Sequence, residues 1–301
     1  MHHDILITGC SSGFGFVTAK YLAQQGHRVH ATLRDMQGEN RESAEALRAF
    51  RKAETVELTV YDMDVTSDDS VEAAVSAMPD LNVAINNAGV AFRGPIESFT
   101  SQQILDQLDV NVVGPARVAR AVLPEMRKRG TGLIVDVSCT SGRAAFPGFG
   151  LYNASKWSLE GLSEALRYEV APYGIDVVIV EPGPFATDFF DNMVGGADEK
   201  HAEPYEHVFA FASNYEQMVR QAFQEEPART DPLVVARTID ALIQLEPGER
   251  PLRTIAGLDF GLQLLNDAVE PIRRQTLEMM GIAELDGPRP DARKDGRRSV
   301  H

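Results

Sequence analysis

The chain has few cysteines and no long apolar run. Its two cysteines, Cys10 and Cys139, lie far apart and in no spacing typical of metal ligands. We therefore expect a reducing compartment, no disulfide framework and no metal site. No apolar run reaches the roughly 18 residues of a membrane-spanning helix. The first four residues lead almost directly into a predicted strand, which leaves no room for a signal peptide, so the expected location is the cytoplasm.

Positive charge is also scarce. The chain has 29 lysines and arginines against 44 aspartates and glutamates, which gives a net charge of −15. This charge argues against general affinity for nucleic acid or for an anionic membrane surface. An anionic cofactor is not excluded, because a local pocket can be positive within an acidic protein. With 301 residues, 44% of them hydrophobic, the composition is that of a soluble globular protein with one large domain or two small ones.

The start of the chain predicts a nucleotide-binding unit. A short apolar strand at 5–8 is followed by a glycine-rich turn, a helix to about residue 25 and a second strand at 28–32. The turn contains Gly9, Gly13 and Gly15. Glycine permits positive φ and lets backbone amides approach a phosphate at a helix N-terminus that already favours anions. Because these glycines follow a predicted strand and open a predicted helix, they indicate dinucleotide binding.

The end of the second predicted strand bears on the choice of coenzyme. An acidic residue there would bind the free ribose 2′-hydroxyl of NAD, whereas a nearby arginine accommodates the 2′-phosphate of NADP. Leu33 occupies the place of the acid, and Arg34 follows it. Ser11 can add a hydroxyl to the phosphate. Asp35 leaves an alternative open, because it can pair with Arg34 or bind the ribose itself; we favour NADP(H), with NAD(H) as the alternative.

Strands and helices alternate along most of the chain. Further strands are predicted at 56–61, 83–85, 132–137, 175–180 and 252–258, and further helices at 39–54, 67–78, 101–129, 152–172 and 231–246. This alternation predicts an α/β fold with a doubly wound parallel sheet. We expect one domain over residues 1–286, including a substrate lid at about 185–230. The polar segment 287–301 is predicted to be a disordered tail.

Tyr152 and Lys156 form the strongest candidate for proton transfer. They stand four residues apart at the start of a predicted helix, so both side chains lie on one helix face. A free tyrosine keeps its proton until about pH 10. A nearby ammonium favours the phenolate and would lower that pKa, which allows the tyrosine to exchange a proton with an alcohol or a carbonyl. Taken alone, the pair is a weak signal, because an isolated match is more often a surface tyrosine near a solvated lysine.

The ordered set of motifs resembles the short-chain dehydrogenase/reductase superfamily. The matching pieces are Thr8-Gly9-x3-Gly13-x-Gly15, Asp64, Asn86-Asn87-Ala88-Gly89, Asn111, Tyr152-x3-Lys156, and Pro182-Gly183 with Thr187. They cover about residues 4–190 in the order of the family. In detail, the chain is most similar to the 17β-hydroxysteroid and retinol dehydrogenase group, which commonly prefers NADP(H). The resemblance implies a Rossmann-type fold and a homodimer or homotetramer that pairs through the helices around 101–129 and 152–172.

The resemblance also implies roles for individual residues. Tyr152 would be the acid/base, Lys156 would hold the ribose and tune the tyrosine, and Asn111 would anchor a water in the proton relay. Asp64 and Val65 would contact adenine, and Thr187 would contact the nicotinamide amide. The full set of implied cofactor-binding residues is Gly9, Ser11, Ser12, Gly13, Phe14, Gly15, Arg34, Asp64, Val65, Asn87, Ala88, Gly89, Tyr152, Lys156, Pro182, Gly183 and Thr187.

One position departs from the family pattern. The family usually has a serine about 13 residues before the tyrosine, where its hydroxyl binds the substrate oxygen, but here that residue is Cys139. A thiol is a weak hydrogen-bond donor and acceptor, and losing one good donor can cost on the order of 10²–10³ in rate. Three interpretations remain. The register slips so that Ser138 or Ser141 takes the role, Cys139 serves in it, or the site is impaired.

The aromatic residues that follow the motifs suggest an apolar substrate. Residues 185–218 contain a dense group of phenylalanines and tyrosines, which predicts a lid over the substrate or, alternatively, packing of extra helices onto the body. We therefore expect an NADP(H)-dependent oxidoreductase that interconverts an alcohol and a ketone or aldehyde on a hydrophobic, bulky small molecule. The alternatives are a cofactor-binding sensor with little turnover, motivated by Cys139, and epimerisation or dehydration on the same fold.

Overall fold

The computed structural model describes residues 2–78 and 80–289. The first half of the chain alternates strands and helices as the sequence predicts. Its elements are β1 (Asp4–Ile7), α1 (Gly13–Gln24), β2 (Arg28–Leu33), α2 (Arg41–Glu54), β3 (Leu58–Asp62), α3 (Asp68–Ser76) and β4 (Val83–Asn86). The boundaries differ from the predicted ones by a few residues at most.

The second half contains more helices and strands than its sequence pattern predicts. Its elements are β5 (Phe92–Arg93), α4 (Ser101–Leu108), α5 (Gly114–Arg129), β6 (Gly132–Val137), α6 (Gly150–Val170), β7 (Ile175–Pro182), β8 (Val194–Gly195), α7 (Glu199–Ala202), α8 (Glu206–Glu225), α9 (Pro227–Thr230), α10 (Leu233–Gln244), β9 (Arg253–Ala256) and α11 (Leu262–Met279). The long helical region predicted over 101–129 is confirmed, and within it a π-helical turn, Asp109–Val113, connects α4 to α5. Helix α11 had not been predicted.

Seven of the strands form one parallel sheet in the order β3-β2-β1-β4-β6-β7-β9. The order reverses between β1 and β4, which therefore leave a crevice at their carboxyl ends. Short loops after these two strands and after β6 and β7 meet at this edge. The predicted doubly wound α/β fold is confirmed, and the topology places the glycine turn, the Asn-rich turn and the start of α6 around one crevice.

The sheet is buried on both faces. Ile5, Leu6 and Ile7 of β1 have no exposed surface. Alternate residues of a strand point to opposite faces, so Ile5 and Ile7 join the core with Leu22 of α1 on one side. Leu6 joins the core with Val118 of α5 on the other. A strand buried on both faces carries an unbroken apolar run, which is why these strands are readable in the sequence.

The end of the described chain is packed onto the body. Gly287 and Pro288, the first residues of the predicted tail, are buried. From Pro290 onward the tail lies outside the described residues, so its disorder stays a prediction. Within the described ranges, no helix is long and apolar enough to cross a membrane.

Candidate active site

The glycine turn after β1 is built for close backbone approach. Gly9 has φ +71°, and a Cβ there would lie 2.7 Å from the Cα of Ala88. A Cβ on Gly15 would lie 2.3 Å from the carbonyl oxygen of Gly9. Gly13, with φ +53°, begins α1. These positions need glycine because a side chain would push the turn away from the Asn-rich turn after β4 or would strain the backbone.

Asn87 and Thr8 join the two turns. Asn87 Nδ2 donates to the carbonyl oxygens of Thr8, at 2.8 Å, and Gly9, at 3.1 Å. Thr8 Oγ1 accepts from the backbone N–H groups of Asn87, at 3.0 Å, and Ala88, at 2.9 Å. These bonds fix the position of the glycine turn relative to β4. The side chain of Asn87 is therefore used within the protein, and its neighbours Ala88 and Gly89 line the crevice.

The far end of the crevice contains Arg34. Its side chain is 55% exposed, and Nη2 lies 3.7 Å from Glu39 Oε2. Asp35 has φ +49°, and its Oδ2 accepts from the backbone N–H of Glu39 at 2.8 Å. The carboxylate of Asp35 is thus bound within its own loop, while Arg34 lines the crevice. The sequence left open whether Arg34 or Asp35 would contact the ribose end of a coenzyme. In the structure, Arg34 is the one whose side chain is available for that contact.

Asp64 and Val65 line the same end of the crevice. Asp64 Oδ1 accepts from both Thr66 N, at 2.9 Å, and Thr66 Oγ1, at 2.7 Å. The backbone N–H of Asp64 donates to Ser70 Oγ at 3.0 Å. These bonds shape the loop after β3, so the implied adenine contacts would come from a fixed wall. The remaining implied cofactor residues at this edge, Ser11, Ser12, Phe14, Pro182, Gly183 and Thr187, also line the crevice.

Tyr152 and Lys156 lie on the first turns of α6, and both are buried. Lys156 Nζ donates to the carbonyl oxygen of Val137 at 2.9 Å and lies 5.8 Å from the centroid of the Tyr152 ring. Burial lowers the pKa of Lys156. Burial, followed by the neighbouring Cys139 and Tyr215, raises the pKa of Tyr152 well above its usual value of 10. The pKa of Tyr152 is thus raised instead of lowered as expected, and Tyr152 is a protonated phenol at neutral pH.

A buried carboxylate beneath Lys156 was missed by the sequence reasoning. Asp136 on β6 accepts from Asn86 Nδ2 and from Ser163 Oγ, each at 2.7 Å. Burial raises the pKa of Asp136, while these hydrogen bonds and the charge of Lys156 act in the opposite direction. The signal was present, because an aspartate stands within an otherwise apolar strand. It adds negative charge that favours the ammonium form of Lys156.

Asn111 lies in the π-helical turn and is 1% exposed. Its Oδ1 accepts from Val90 N at 2.9 Å, and its Nδ2 donates to Val90 O and Ser155 Oγ, each at 3.0 Å. A Cβ on Gly89 would lie 3.5 Å from Asn111 Oδ1 and 3.8 Å from Lys156 Nζ. The side chain of Asn111 thus ties the loop after β4 to α6 beside Lys156. A role in a water relay stays a prediction.

Cys139, rather than Ser138, faces Tyr152. The thiol contributes to the raised pKa of Tyr152 both by charge and by hydrogen bonding. Ser138 Oγ is buried without a hydrogen-bond partner among the described residues. It points toward Gly142, whose added Cβ would lie 2.9 Å from that oxygen. Ser138, Cys139 and Ser141 all line the crevice, but of the three it is Cys139 that interacts with the Tyr152 hydroxyl.

The crevice continues beyond Tyr152 into an aromatic pocket, and together they enclose about 360 Å³. Phe189 lies 5.4 Å from the ring of Tyr152, and Tyr215 lies 5.6 Å from Phe149 and 6.0 Å from Phe146. Tyr215 comes from α8 and the other rings come from the loops before α6 and after β7. The predicted aromatic segment thus closes over the end of the crevice, and it packs on the body as well. Among the described residues, no group of three acidic, histidine or cysteine side chains could hold a metal ion.

Comparison with known proteins agrees with this geometry. The short chain dehydrogenase family model matches residues 3–196. A 3-ketodihydrosphingosine reductase of Bacteroides thetaiotaomicron is 38% identical over 209 residues, which cover 67% of this chain and 72% of the relative. Human 17-beta-hydroxysteroid dehydrogenase type 1 is 35% identical over 228 residues, 73% of this chain and 68% of the relative. Human retinol dehydrogenase 8 is 37% identical over 62% of this chain and 60% of its own.

Solved structures show the same fold. A short-chain dehydrogenase from Streptomyces avermitilis superposes with a TM-score of 0.73 at 31% identity, covering 94% of this chain and 97% of that one. An actinorhodin polyketide ketoreductase variant with NADPH gives a TM-score of 0.67 at 28% identity, covering 86% of this chain and 97% of its own. A Burkholderia phymatum short chain dehydrogenase in complex with NAD gives a TM-score of 0.70 at 21% identity, covering 91% of this chain and 95% of that one. Neighbours of this fold thus carry either coenzyme.

Proposed function

Since the chain belongs to the short chain dehydrogenase family, we propose that it is an NADP(H)-dependent oxidoreductase that interconverts an alcohol and a ketone or aldehyde on a bulky apolar substrate. The observation that carries the proposal is the position of Tyr152. Its buried phenol lies where the crevice lined by the glycine turn meets the aromatic pocket. A coenzyme in the crevice and a substrate in the pocket would meet at this hydroxyl.

The crevice fits a dinucleotide. The N-terminus of α1 has no side-chain cap, so the backbone N–H groups of its first turn remain available to a phosphate. Gly9 and Gly15 remove the Cβ atoms that would widen the turn. Arg34 lines the adenosine end and offers the charge-assisted hydrogen bonds that a 2′-phosphate accepts. A nicotinamide coenzyme would supply hydride transfer to or from the substrate carbon.

The residues of this chain would handle the proton. In the reducing direction, the neutral Tyr152 hydroxyl donates its proton to the substrate oxygen as charge develops there. The raised pKa of Tyr152 supports this role, because the phenol still holds its proton at neutral pH. Lys156, fixed by Val137, would bind the ribose and favour the phenolate that remains. Asp136 and Asn111 hold the surrounding loops in place.

The pocket and the relatives favour a bulky apolar substrate. Phenylalanine and tyrosine rings form most of the pocket around Tyr152. The names of the relatives refer to a sphingoid ketone, a steroid and retinol, all of which are large and apolar. By the same family analogy, we propose a cytoplasmic homodimer or homotetramer. Its surfaces would be α4, α5 and α6, where Leu105, Val113 and Trp157 are exposed.

A second candidate function is a coenzyme-binding sensor with little turnover. It is favoured by the single observation that Cys139 stands beside Tyr152 in the position of the usual serine. A weak donor there would slow carbonyl reduction without affecting coenzyme binding.

The first experiment measures NADPH and NADH oxidation against a panel of bulky ketones and aldehydes. We expect turnover by the wild type and a loss of at least about 10²-fold in Tyr152→Phe, because the substitution removes the transferable proton and keeps the ring. NADPH binding, followed by its fluorescence, should be retained in the variant. Wild-type enzyme that binds NADPH but reduces no carbonyl compound would favour the sensor, and turnover by Tyr152→Phe at the wild-type rate would refute its acid/base role.

A further inference from the structure

The site has only one strong hydrogen-bond donor among the residues that the family pattern assigns to the substrate oxygen. That donor is Tyr152, since Cys139 Sγ is a weak donor. Cys139 Sγ lies 4.0 Å from Thr140 Oγ1. Ser138 also lines the cavity, but its Oγ is buried and lies beside Gly142. A carbonyl oxygen that gains charge needs a second donor here for full stabilisation.

Tyr215 of α8 presents such a hydroxyl. It lies on the inward stripe of the helix with Val208, Ala212 and Val219, all of which are buried. Its ring lines the same cavity as Cys139 and Tyr152. Within the described structure its hydroxyl makes no hydrogen bond, although the ring is surrounded by other side chains. A half-buried phenol with a free hydroxyl is available for a ligand in the cavity.

The ring of Tyr215 is held in a fixed position. It stacks with Phe146 at 6.0 Å and with Phe211 at 6.4 Å, and it meets Phe149 edge-on at 5.6 Å. The next residue, Glu216, binds Arg93 of β5 at 2.6 Å, which attaches α8 to this strand. The cost of orienting the hydroxyl is therefore met by the fold before a substrate binds.

Tyr152 and Tyr215 interact electrostatically with Cys139 and with each other. Burial, followed by the charge of Cys139, raises the pKa of Tyr215 to about 12. Tyr215 in turn raises the pKa of Tyr152. At neutral pH both phenols are therefore protonated donors, and both line the cavity together with Cys139.

We propose that the Tyr215 hydroxyl donates the second hydrogen bond to the substrate oxygen, the role that the family pattern gives to a serine at position 139. In reduction, a hydride adds to the carbonyl carbon, the C=O double bond becomes a single bond, and the oxygen takes the proton of Tyr152. Tyr215 keeps its own proton and stabilises the developing charge. The inference rests on the proposed carbonyl reduction and explains how that reaction proceeds with Cys139 in place of serine.

The test compares Tyr215→Phe with the wild type in NADPH-dependent reduction of the fastest ketone of the panel. The variant keeps the ring and its stacking and removes only the hydroxyl. We expect kcat to fall about 10²-fold while the KM for NADPH stays unchanged, since the lost bond acts in the transition state. Tyr205→Phe is the matched control, because Tyr205 lies just before α8 and its hydroxyl donates to the exposed Glu97 at 2.6 Å. Its kcat should equal that of the wild type.

A second pair of variants separates catalysis from folding. Adding Cys139→Ser to Tyr215→Phe should restore kcat by at least about tenfold, because serine supplies the missing donor. A structural defect at Tyr215 would show no such rescue, and that result would overturn the proposal. So would wild-type kcat in Tyr215→Phe, or a loss of about 10²-fold in Ser141→Ala with Tyr215→Phe unaffected. Wild-type enzyme without carbonyl turnover would refute the proposed function itself, and this inference with it.

Discussion

At the scale of single residues, we expect coenzyme choice to depend on Arg34 and on the carboxylate of Glu39 beside it. The guanidinium lies 3.7 Å from Glu39, and both side chains are more than half exposed. Such a surface pair contributes little by itself, so a doubly charged phosphate can replace Glu39 as the partner of Arg34. Glu39 nevertheless repels a phosphate, which would make the preference for NADPH moderate.

We predict that Arg34→Ala raises the KM for NADPH about tenfold and leaves the KM for NADH unchanged. One charge-assisted hydrogen bond to a phosphate contributes roughly 1.5 kcal/mol, which corresponds to that factor. Glu39→Gln should lower the KM for NADPH, because it removes the competing charge. Steady-state kinetics with both coenzymes measures this.

The control for Arg34 is Arg41→Ala, which removes an exposed arginine 4.0 Å from Glu45 on α2. It should change neither KM. Equal effects of Arg34→Ala on both coenzymes would contradict the role of Arg34 in binding the 2′-phosphate.

At the scale of elements, two glycines within helices can be compared. Close packing requires glycine at one of these positions and not at the other. Gly15 in α1 faces the glycine turn, and a Cβ there would lie 2.3 Å from Gly9 O and 2.5 Å from Asn87 Nδ2. Gly161 in α6 has no atom within 4 Å of its added Cβ. Both lie in helices, so intrinsic propensity favours alanine at each position by a similar amount.

We predict opposite effects for the two alanine substitutions. Gly161→Ala should raise the free energy of unfolding by about 0.5–1 kcal/mol, because it reduces the freedom of the unfolded chain. Gly15→Ala should lower it by roughly 1–3 kcal/mol and weaken NADPH binding, because the new methyl separates the two turns. Urea unfolding and NADPH fluorescence measure both quantities. Equal NADPH affinity in Gly15→Ala and wild type would contradict the close-approach argument.

The sequence predicts those elements whose apolar residues face inward. The strands at the centre of the sheet are buried on both faces and appear as apolar runs, so their positions along the chain and the parallel sheet could be predicted. In α11 the pattern is reversed. Its inward side chains include the polar Asn266 and Arg273, while Leu264, Ile272 and Met279 are exposed. Periodicity therefore gives no correct signal for this helix.

Part of the candidate site could also be predicted from the sequence. The resemblance to the family, which the comparisons confirm, identified the glycine turn and the Tyr152–Lys156 pair. Sequence could not show that Cys139 is the residue facing Tyr152, because that depends on the local register after β6. It also could not show that burial raises the pKa of Tyr152. Both are properties of tertiary packing.

At the scale of the whole molecule, buried ion pairs attach the last part of the chain to the sheet. Arg167 on α6 binds Asp176 of β7 at 2.7 Å and Asp286, beyond α11, at 3.0 Å. Arg273 of α11 binds Asp286 at 2.7 Å. Burial of such charges costs energy that only complete pairing offsets, so this region is sensitive to the loss of one partner.

A second buried carboxyl group on β7, that of Glu181, makes stability depend on pH. Burial, and then the neighbouring Glu160, raise the pKa of Glu181 from 4.5 to about 8, although Asn266, Arg143 and Arg253 oppose the shift. The folded protein thus keeps this proton up to about pH 8, whereas the unfolded chain loses it near pH 4.5. The free energy of unfolding therefore falls as the pH rises between these values, by at most about 1.4 kcal/mol per pH unit from this group.

We predict that Glu181→Gln removes this contribution. Glutamine is nearly isosteric with the protonated acid, can accept from Asn266 through its oxygen and has no proton to lose in this range. The midpoint of thermal unfolding should fall less between about pH 5 and pH 8 in the variant than in the wild type, so that the variant becomes the more stable protein toward pH 8. Scanning calorimetry at several pH values measures the difference between the two curves. Parallel curves would show that Glu181 is already ionised in the folded protein. Glu160 and Glu181 would then be two neighbouring charged carboxylates.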